Sequence, residues 1–203
     1  MKIAVIGASG NVGARISAEL AGRGHSVTAI VRNPEKVASL ANVTAVKGDV
    51  MDQAGLAGLL KGHEVAVSSV RFRDSDPARL IAAAKASGVG RYIVVGGAGS
   101  LEVAPGVRLV TTPNFPAPYK AEAEAGGAFL DLLRRESELN WTVISPSALF
   151  VAGEKTGKFR LGGDQLLTAA DGKSWISFED YAAALADEIE RPAHTRKRFT
   201  VGY

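Results

Sequence analysis

The first two dozen residues limit what this chain can fold into more than any other stretch. Lys2–Ile6 is a short run with β-branched residues at three of its five positions, long enough for one buried strand. The segment Gly7–Gly13, which reads GASGNVG, follows at once. Ala14–Arg23 is then typical of a helix, because apolar residues recur at every fourth position from Val12 onward. A strand, a glycine-rich loop and a helix in this order predict the first unit of an α/β fold.

The glycines of that loop have a chemical meaning. They let the backbone turn tightly and approach a diphosphate, whose charge then meets the free amides at the start of the helix. The spacing is G-x-x-G-x-x-G, and a tight strand-to-helix turn without a ligand is the alternative interpretation. The residues expected to hold the diphosphate are Gly7, Ser9, Gly10, Asn11, Val12 and Gly13.

Strand-like and helix-like segments alternate through most of the chain. The predicted strands after the first are Ser26–Val31, Val43–Val46, Glu64–Val70, Arg91–Val95, Trp141–Ser145 and Arg198–Val201, with Lys158–Leu161 and Gln165–Leu167 as possible small ones. The predicted helices after the first are Pro34–Leu40, Gln53–Leu60, Asp76–Ser87, Tyr119–Arg135 and a last one capped by Ser177 that ends at Glu190. This alternation predicts a Rossmann-like doubly wound parallel sheet with a small C-terminal substrate-side extension.

Length and composition exclude several classes of protein. The 203 residues suit a single nucleotide-binding domain, and we expect residues 1–203 to form one. The chain has no cysteine and three scattered histidines, so we expect no metal site. The net charge of +3 is spread along the chain and does not indicate a nucleic-acid partner. Without a membrane-spanning run or a signal peptide, we expect a cytoplasmic protein that does not bind membranes.

The end of the second strand bears on the choice of cofactor. An NAD site places an acidic residue there for the ribose hydroxyls, whereas an NADP site tends to place an arginine nearby. Thr28–Asn33 contains no acid and includes Arg32, which suits a 2′-phosphate. NADP(H) is therefore favoured over NAD(H), with Arg32 as a plain surface charge the alternative. Arg15, one turn into the first helix, is a second candidate for the same phosphate, with a plain surface residue the alternative.

Ligands of such sheets bind at the carboxyl ends of the strands. Asp49 and Val50 follow the third strand, where the carboxylate would accept from adenine and the valine would pack on its ring; a helix-capping role for Asp49 is the alternative. Further strand-end residues expected in the cleft are Ser68, Ser69, Val70, Gly96 and Gly97. Arg71 and Arg73 lie just beyond and would meet a phosphate or an acidic substrate, unless they only belong to a solvated loop.

Two segments are expected on the substrate side, at about 98–118 and 147–180. The first contains four prolines, which argue against a long helix or a central strand and favour a lid or a substrate wall. Ser100 and Tyr119 flank this segment and are the candidate catalytic side chains, with a structural role the alternative for each.

With these motifs assembled, the chain resembles the atypical short-chain dehydrogenase/reductases that include the NmrA-like proteins. It is most similar to the branch provisionally called NADH-flavin reductases, relatives of biliverdin reductase B. The motifs that carry the resemblance are GASGNVG (7–13), VRNP (31–34), KGDV (47–50), WTVISP (141–146), TGKFRLGGD (156–164) and ISFEDY (176–181). The resemblance implies that Pro146 and Ser147 border a nicotinamide, and that hydride passes from NAD(P)H to a flavin or a similar planar acceptor.

One departure from the wider group bears on the chemistry. Alcohol dehydrogenase members use Tyr-x-x-x-Lys to exchange a proton with the substrate oxygen, and no tyrosine here has a lysine four residues later. Flavin or quinone reduction needs less from the protein, since the acceptor ring holds the charge. The alternatives are an NmrA-like redox sensor that binds NAD(P) without turnover and a nucleotide-sugar epimerase or dehydratase. The expected partner is a small-molecule acceptor, for a monomer or a homodimer.

Overall fold

Eight strands form one sheet at the centre of the protein. The computed structural model describes residues 1–203. The strands are β1 Lys2–Ile6, β2 Ser26–Val31, β3 Val43–Lys47, β4 Val65–Ser68, β5 Arg91–Val95, β6 Glu102–Ala104, β7 Val107–Arg108, β8 Trp141–Pro146, β9 Leu149–Val151, β10 Arg160–Gly162, β11 Trp175–Ser177 and β12 Lys197–Gly202. The helices are α1 Asn11–Gly22, α2 Gln53–Leu60, α3 Pro77–Ser87, α4 Ala117–Leu133 and α5 Phe178–Glu190.

The strand order of the main sheet is β10-β12-β8-β5-β4-β1-β2-β3. Every neighbouring pair is parallel except β10 and β12. The strand order reverses at β1, because β2 pairs with one edge of β1 and β4 pairs with the other. A ligand crevice is expected at such a reversal, beyond the carboxyl ends of the strands. The predicted Rossmann-like doubly wound fold is confirmed.

Both faces of the sheet are covered by helices. Along β1, Ile3 and Val5 belong to one buried cluster, and Ala4 and Ile6 belong to the other. The first cluster lies under α1 and α5, which pack against each other, and the second lies under α2, α3 and α4. This alternation explains why the strand has a continuous apolar sequence.

Most predicted elements are present, with shifted ends. The helix predicted over Pro34–Leu40 is only a single 3-10 turn, Pro34–Lys36, because the backbone is already extended at Val37. The predicted strand Gln165–Leu167 is wrong, since only an isolated bridge from Glu102 to Gln165 occurs there. The proline-rich segment contains a hairpin that the sequence analysis missed, β6 and β7.

One glycine and one proline determine where the hairpin turns and where β8 ends. The β6–β7 turn is made by Pro105 and Gly106, whose φ of +74° suits the left-handed corner of a tight turn. Strand β8 continues through Pro146, which needs no amide there because its register partner Val201 accepts from Ser147 N instead (3.0 Å). The small parallel pair β9–β11 was not predicted and leads directly into α5.

Candidate functional site

A groove of about 300 Å³ opens at the carboxyl ends of β1, β2, β3 and β4. Its walls are formed by Ile6, Gly7, Ser9, Gly10, Ile30, Val31, Arg32, Gly48, Asp49, Val50, Met51, Ser69, Val70, Arg71 and Asp74. Eight of the predicted cofactor residues therefore lie together: Gly7, Ser9, Gly10, Arg32, Asp49, Val50, Ser69 and Val70. The groove coincides with the reversal of strand order, where a ligand is expected.

The three glycines of the first loop differ in what requires them. Gly7 has φ +81°, and a Cβ there would lie 2.3 Å from the carbonyl oxygen of Ser69. A Cβ at Gly13 would lie 2.3 Å from the carbonyl oxygen of Gly7, so these two glycines are required by the fold. Gly10 has ordinary angles, φ −76° and ψ 166°, and its Cβ would come no closer than 3.4 Å to any atom. Neither backbone conformation nor packing explains a glycine at position 10.

The N-terminus of α1 is open to an anion. The first intrahelical bond is donated by Ala14, so the amides of Asn11, Val12 and Gly13 have no acceptor in the protein. No side chain caps this end, and no acid lies in the first turn. The N-terminal end of a helix carries partial positive charge that favours an anion. The side chain of Val12 packs on the core, so this residue offers only its amide.

Arg32 follows β2 and lies on the groove wall with its side chain exposed. It makes no hydrogen bond or ion pair with any protein group, which leaves a free cation beside the groove. Arg15 is different: its Nε donates to Glu179 at 2.7 Å and its Nη1 to the carbonyl of Asn11 at 2.9 Å. Burial opposes ionisation of Glu179, but the bonds from Arg15 and from the amide of Gly153 together outweigh that effect and hold its pKa below the ordinary value. Arg15 is therefore engaged between α1 and α5 and does not line the groove.

Asp49 and Val50 follow β3 and also line the groove. One carboxylate oxygen of Asp49 accepts from the amide of Met51 at 2.9 Å. The other oxygen has no protein partner, so the side chain both shapes its turn and keeps an acceptor free. Val50 is half-buried against the second core cluster and lines the same wall. The helix-capping alternative for Asp49 is wrong, because Asp52 caps α2 by accepting from the amide of Gly55 at 3.0 Å. Contact of Asp49 with adenine stays a prediction.

The remaining strand-end candidates lie outside this groove. They are Ser68, Gly96, Gly97 and Pro146, at the ends of β4, β5 and β8. Ser68 is buried, and Gly96 is required by packing, since a Cβ there would lie 2.9 Å from Val143. Ser147, named with Pro146, is fully buried and donates to the carbonyl of Val201 at 3.2 Å. Their contact with a nicotinamide stays a prediction.

The two candidate catalytic side chains occupy different environments. Ser100 is 9% exposed, and its hydroxyl accepts a bond of 3.4 Å from Arg198 Nη1. Tyr119 is 68% exposed at the first turn of α4, and its hydroxyl makes no hydrogen bond with the protein. Neither faces a base or an acid that would make a proton relay, so a catalytic role for either stays a prediction.

Arg71 was singled out from the sequence and does line the groove, whereas six other lining residues were not among the predicted site residues: Ile6, Ile30, Val31, Gly48, Met51 and Asp74. Gly48 is needed because a Cβ would lie 2.6 Å from Ile30. Met51 was recognisable as the residue after the strand-end pair Asp49 and Val50. Asp74 reaches the groove through a 3-10 turn, Phe72–Asp74, that no sequence signal predicted.

The structure also bears on metal binding and on membrane insertion. No three His, Cys, Asp or Glu side chains are grouped closely enough to bind a metal ion. None of the helices combines the length and the apolar composition that crossing a bilayer requires.

Comparison with known proteins identifies the family. The NAD(P)H-binding family matches residues 7–192 of the chain. A Burkholderia pseudomallei protein provisionally described as exported is 44% identical, with a TM-score of 0.90 and complete coverage of both chains. A Bacteroides thetaiotaomicron protein provisionally described as an epimerase is 40% identical, with a TM-score of 0.95, 100% coverage of this chain and 96% of the other.

A third solved structure, from Streptococcus pneumoniae, is provisionally described as an NADH-flavin reductase. It is 36% identical, with a TM-score of 0.88, and the match covers 100% of this chain and 99% of the other. The predicted resemblance is confirmed over nearly the whole length. The chain therefore belongs to the NAD(P)H-binding family of oxidoreductases, as an atypical short-chain dehydrogenase/reductase with a Rossmann fold.

Proposed function

We propose that this protein is an NADPH-dependent reductase that transfers hydride to a flavin, a quinone or a similar conjugated acceptor. The observation that carries the choice of nucleotide is Arg32, an unpaired cation on a groove whose second strand ends without a carboxylate. A guanidinium binds a 2′-phosphate through charge-assisted bonds, whereas an NAD site would place an acid there. NADP(H) is accordingly preferred over NAD(H).

The residues of the groove fit a dinucleotide. The amides of Asn11, Val12 and Gly13 need an acceptor, and Gly10 leaves open the space in front of them. A diphosphate supplies the acceptor and explains the missing side chain at position 10. The free oxygen of Asp49 and the apolar surface of Val50 offer an acceptor and a packing face for adenine.

When bound, NADPH supplies the hydride. The chain's own residues bind the diphosphate and the 2′-phosphate, and they hold the nucleotide in one orientation along the rim of the sheet. Reduction of a conjugated ring requires mainly that two planar rings be held face to face, because the acceptor ring delocalises the added charge. Ordering the nucleotide in a preformed groove is therefore the main contribution that the protein makes.

The tyrosines support a conjugated acceptor over a simple carbonyl or a sugar. Tyr92 and Tyr181 are fully buried, and burial raises the pKa of both phenols. Tyr203 donates to Asp180 at 2.6 Å, which occupies its hydroxyl. Tyr119 is free but has Ala123, not a lysine, one turn later. None is equipped for the proton exchange of alcohol dehydrogenases or epimerases, and the relative described as a flavin reductase points the same way.

The test is the oxidation of NADPH with riboflavin, FMN and a panel of quinones, followed by the loss of NADPH absorbance. We expect acceleration over the uncatalysed rate, and faster turnover with NADPH than with NADH. The variant Gly10→Glu is the negative control, since its carboxylate occupies the diphosphate space. Tight NADPH binding without turnover on any acceptor would favour the redox sensor and contradict the reductase.

Assembly and location belong to the same proposal. We expect a monomer or a homodimer that acts in the cytoplasm on a small molecule, without nucleic acid or membrane. Because one similar protein is provisionally described as exported, cell fractionation with an antibody is the direct measurement of location. Recovery outside the cytoplasm would contradict this part.

A further inference from the structure

The chain segment after β4 connects the nucleotide groove to a helix on the far side. We call residues Ser69–Asp74 the rim. Its members Arg71 and Asp74 line the groove. Phe72, between them, turns away from the groove and packs on α4, where its ring meets Phe129 edge-on at a centroid distance of 5.9 Å and an angle of 87°.

Two features of α4 hold this side of the rim. The carboxylate of Glu122 accepts from the amide of Phe72 at 2.7 Å and from the amide of Arg73 at 3.1 Å. The rim turn has no side-chain cap of its own, so Glu122 supplies the cap from fifty residues away. Gly126 leaves room for the ring, because a Cβ there would lie 2.8 Å from Phe72 Cε2. Carbon atoms pack at about 3.5–4.0 Å, so that methyl group would force the ring to move.

The same helix also fixes the segment after β5. A Cβ on Gly99 would lie 2.5 Å from the Cβ of Ala123, so α4 and the turn Ala98–Ser100 are in close contact. Ala123 lies between Glu122 and Gly126 in sequence. One face of α4 therefore sets the positions of the two segments that follow β4 and β5, and a ligand crossing the sheet edge passes both.

We propose that Glu122 and Gly126 are positioning residues for nucleotide binding: through Phe72 they hold the rim where Arg71 and Val70 close the groove. This inference rests on the proposed function, because it assigns the rim to a nicotinamide nucleotide. Neither residue touches the groove itself. Their effect on affinity passes through the packing of one phenyl ring and two backbone hydrogen bonds.

The test compares two neighbouring glycines of one helix. Gly126→Ala places a methyl group against Phe72, whereas a Cβ at Gly127 would meet its nearest atoms at ordinary distances, 3.6 Å and 3.8 Å. Both substitutions give the same gain in helix propensity. We expect Gly126→Ala to raise the Kd of NADPH about tenfold, the size of effect typical of an overpacked contact, and Gly127→Ala to leave it unchanged. An equal Kd for both variants, with wild-type binding intact, overturns the rim inference alone.

A second pair tests the hydrogen bonds. Glu122→Gln leaves one rim amide facing an amide NH2, whereas Glu124→Gln alters an exposed side chain of the same helix that makes no hydrogen bond. We expect a several-fold rise in the Kd of NADPH for the first and none for the second. The double variant Phe72→Leu/Gly126→Ala should recover part of the affinity lost in Gly126→Ala, because the smaller side chain relieves the clash. A loss of thermal stability without a change in Kd would mean a purely structural role.

Amide hydrogen exchange separates this inference from the proposed function. In the free protein, residues 69–74 should exchange faster in Gly126→Ala and Glu122→Gln than in the two controls. If wild-type protein binds no nicotinamide nucleotide, the proposed function fails, and unchanged exchange in all four variants would show that α4 does not hold the rim either.

Discussion

Replacing Arg32 by alanine tests the nucleotide preference with little disturbance of the fold. The side chain is exposed and makes no hydrogen bond or ion pair with the protein, so its removal costs no internal contact. A charge-assisted bond to a phosphate is worth about 1.5 to 3 kcal/mol, and solvent exposure favours the lower end. We therefore expect the Kd of NADPH to rise about 10- to 30-fold. NADH lacks the 2′-phosphate, so its Kd should hardly change.

The assay is titration calorimetry of both nucleotides at two salt concentrations. The preference for NADPH over NADH should shrink as salt rises in the wild type, because the charge pair is screened, and should be small at either concentration in Arg32→Ala. Arg135→Ala is the matched control, since it removes one exposed charge from the surface between α3 and α4, outside the groove. Arg32→Asp extends the series: its carboxylate should repel the 2′-phosphate and accept from the ribose hydroxyls of NADH.

Equal losses for NADPH and NADH in Arg32→Ala would refute this reasoning, as would no loss for either. The first result would mean that Arg32 contacts a part shared by both nucleotides, such as the diphosphate. The second would mean that Arg32 is a surface charge and that another cation, such as Arg71, binds the 2′-phosphate.

Three further predictions concern the loop, a buried carboxylate and the buried phenols. Gly10→Glu should abolish nucleotide binding in calorimetry while circular dichroism and the melting temperature stay near wild type, whereas Gly7→Ala should melt at a clearly lower temperature because its Cβ meets backbone. Asp180→Asn should lower the free energy of unfolding in urea by about 1 to 3 kcal/mol, since the fully buried carboxylate accepts bonds that an amide cannot all accept. Burial raises the pKa of Tyr92 and Tyr181, so the stabilisation from keeping these phenols protonated should be complete below about pH 10, the unfolded value, and decrease above it as the unfolded state loses protons first. A flat alkaline profile in urea titrations would contradict this.

At acid pH the stability should also fall, but here the cause is a folded-state pKa that is lowered and not raised. Burial opposes ionisation of Asp180, but hydrogen bonds from Thr156 and Tyr203 outweigh it and hold its pKa below the ordinary value. A depressed folded-state pKa means that the stabilisation is complete above the unfolded pKa, about 4, and is lost as pH falls through the folded pKa. The segment that Asp180 tethers, Thr156–Gly157, should therefore be the first part of the substrate side to loosen in acid.

The sheet and the groove could be predicted because local sequence patterns indicate both. Strands β1, β2 and β5 are short and largely apolar because both faces of the sheet are covered, and their bounds match the predicted ones. Most of the strand-end residues that line the groove were predictable because parallel strands bring their carboxyl ends to one edge, whatever lies between them in sequence. The same rule predicted that Arg32 and Asp49 would lie near Gly7, and all three residues line the groove.

The substrate side was less predictable because its structure depends on long-range contacts. Ser100 was chosen for its position after β5, but burial and the bond from Arg198, 98 residues further along the chain, decide its environment. Strand β9 forms because β11 pairs with it, and its apolar run Leu149–Val151 is only three residues long, which is too short to predict a strand. The β6–β7 hairpin is local, but the prolines of this segment concealed it. It forms because Gly106 adopts the positive φ that its tight turn requires.

The glycines show most clearly where a sequence stops being informative. Gly126 and Gly127 together predict only a weakened helix, yet α4 runs through both without a break. A side chain would clash at Gly126 and fit at Gly127, and the difference is the ring of Phe72, more than fifty residues away. Gly10 differs from Gly126, because a Cβ there would come no closer than 3.4 Å to any protein atom. Gly10 stands at the uncapped start of α1, so the space that its missing side chain leaves open suits a phosphate.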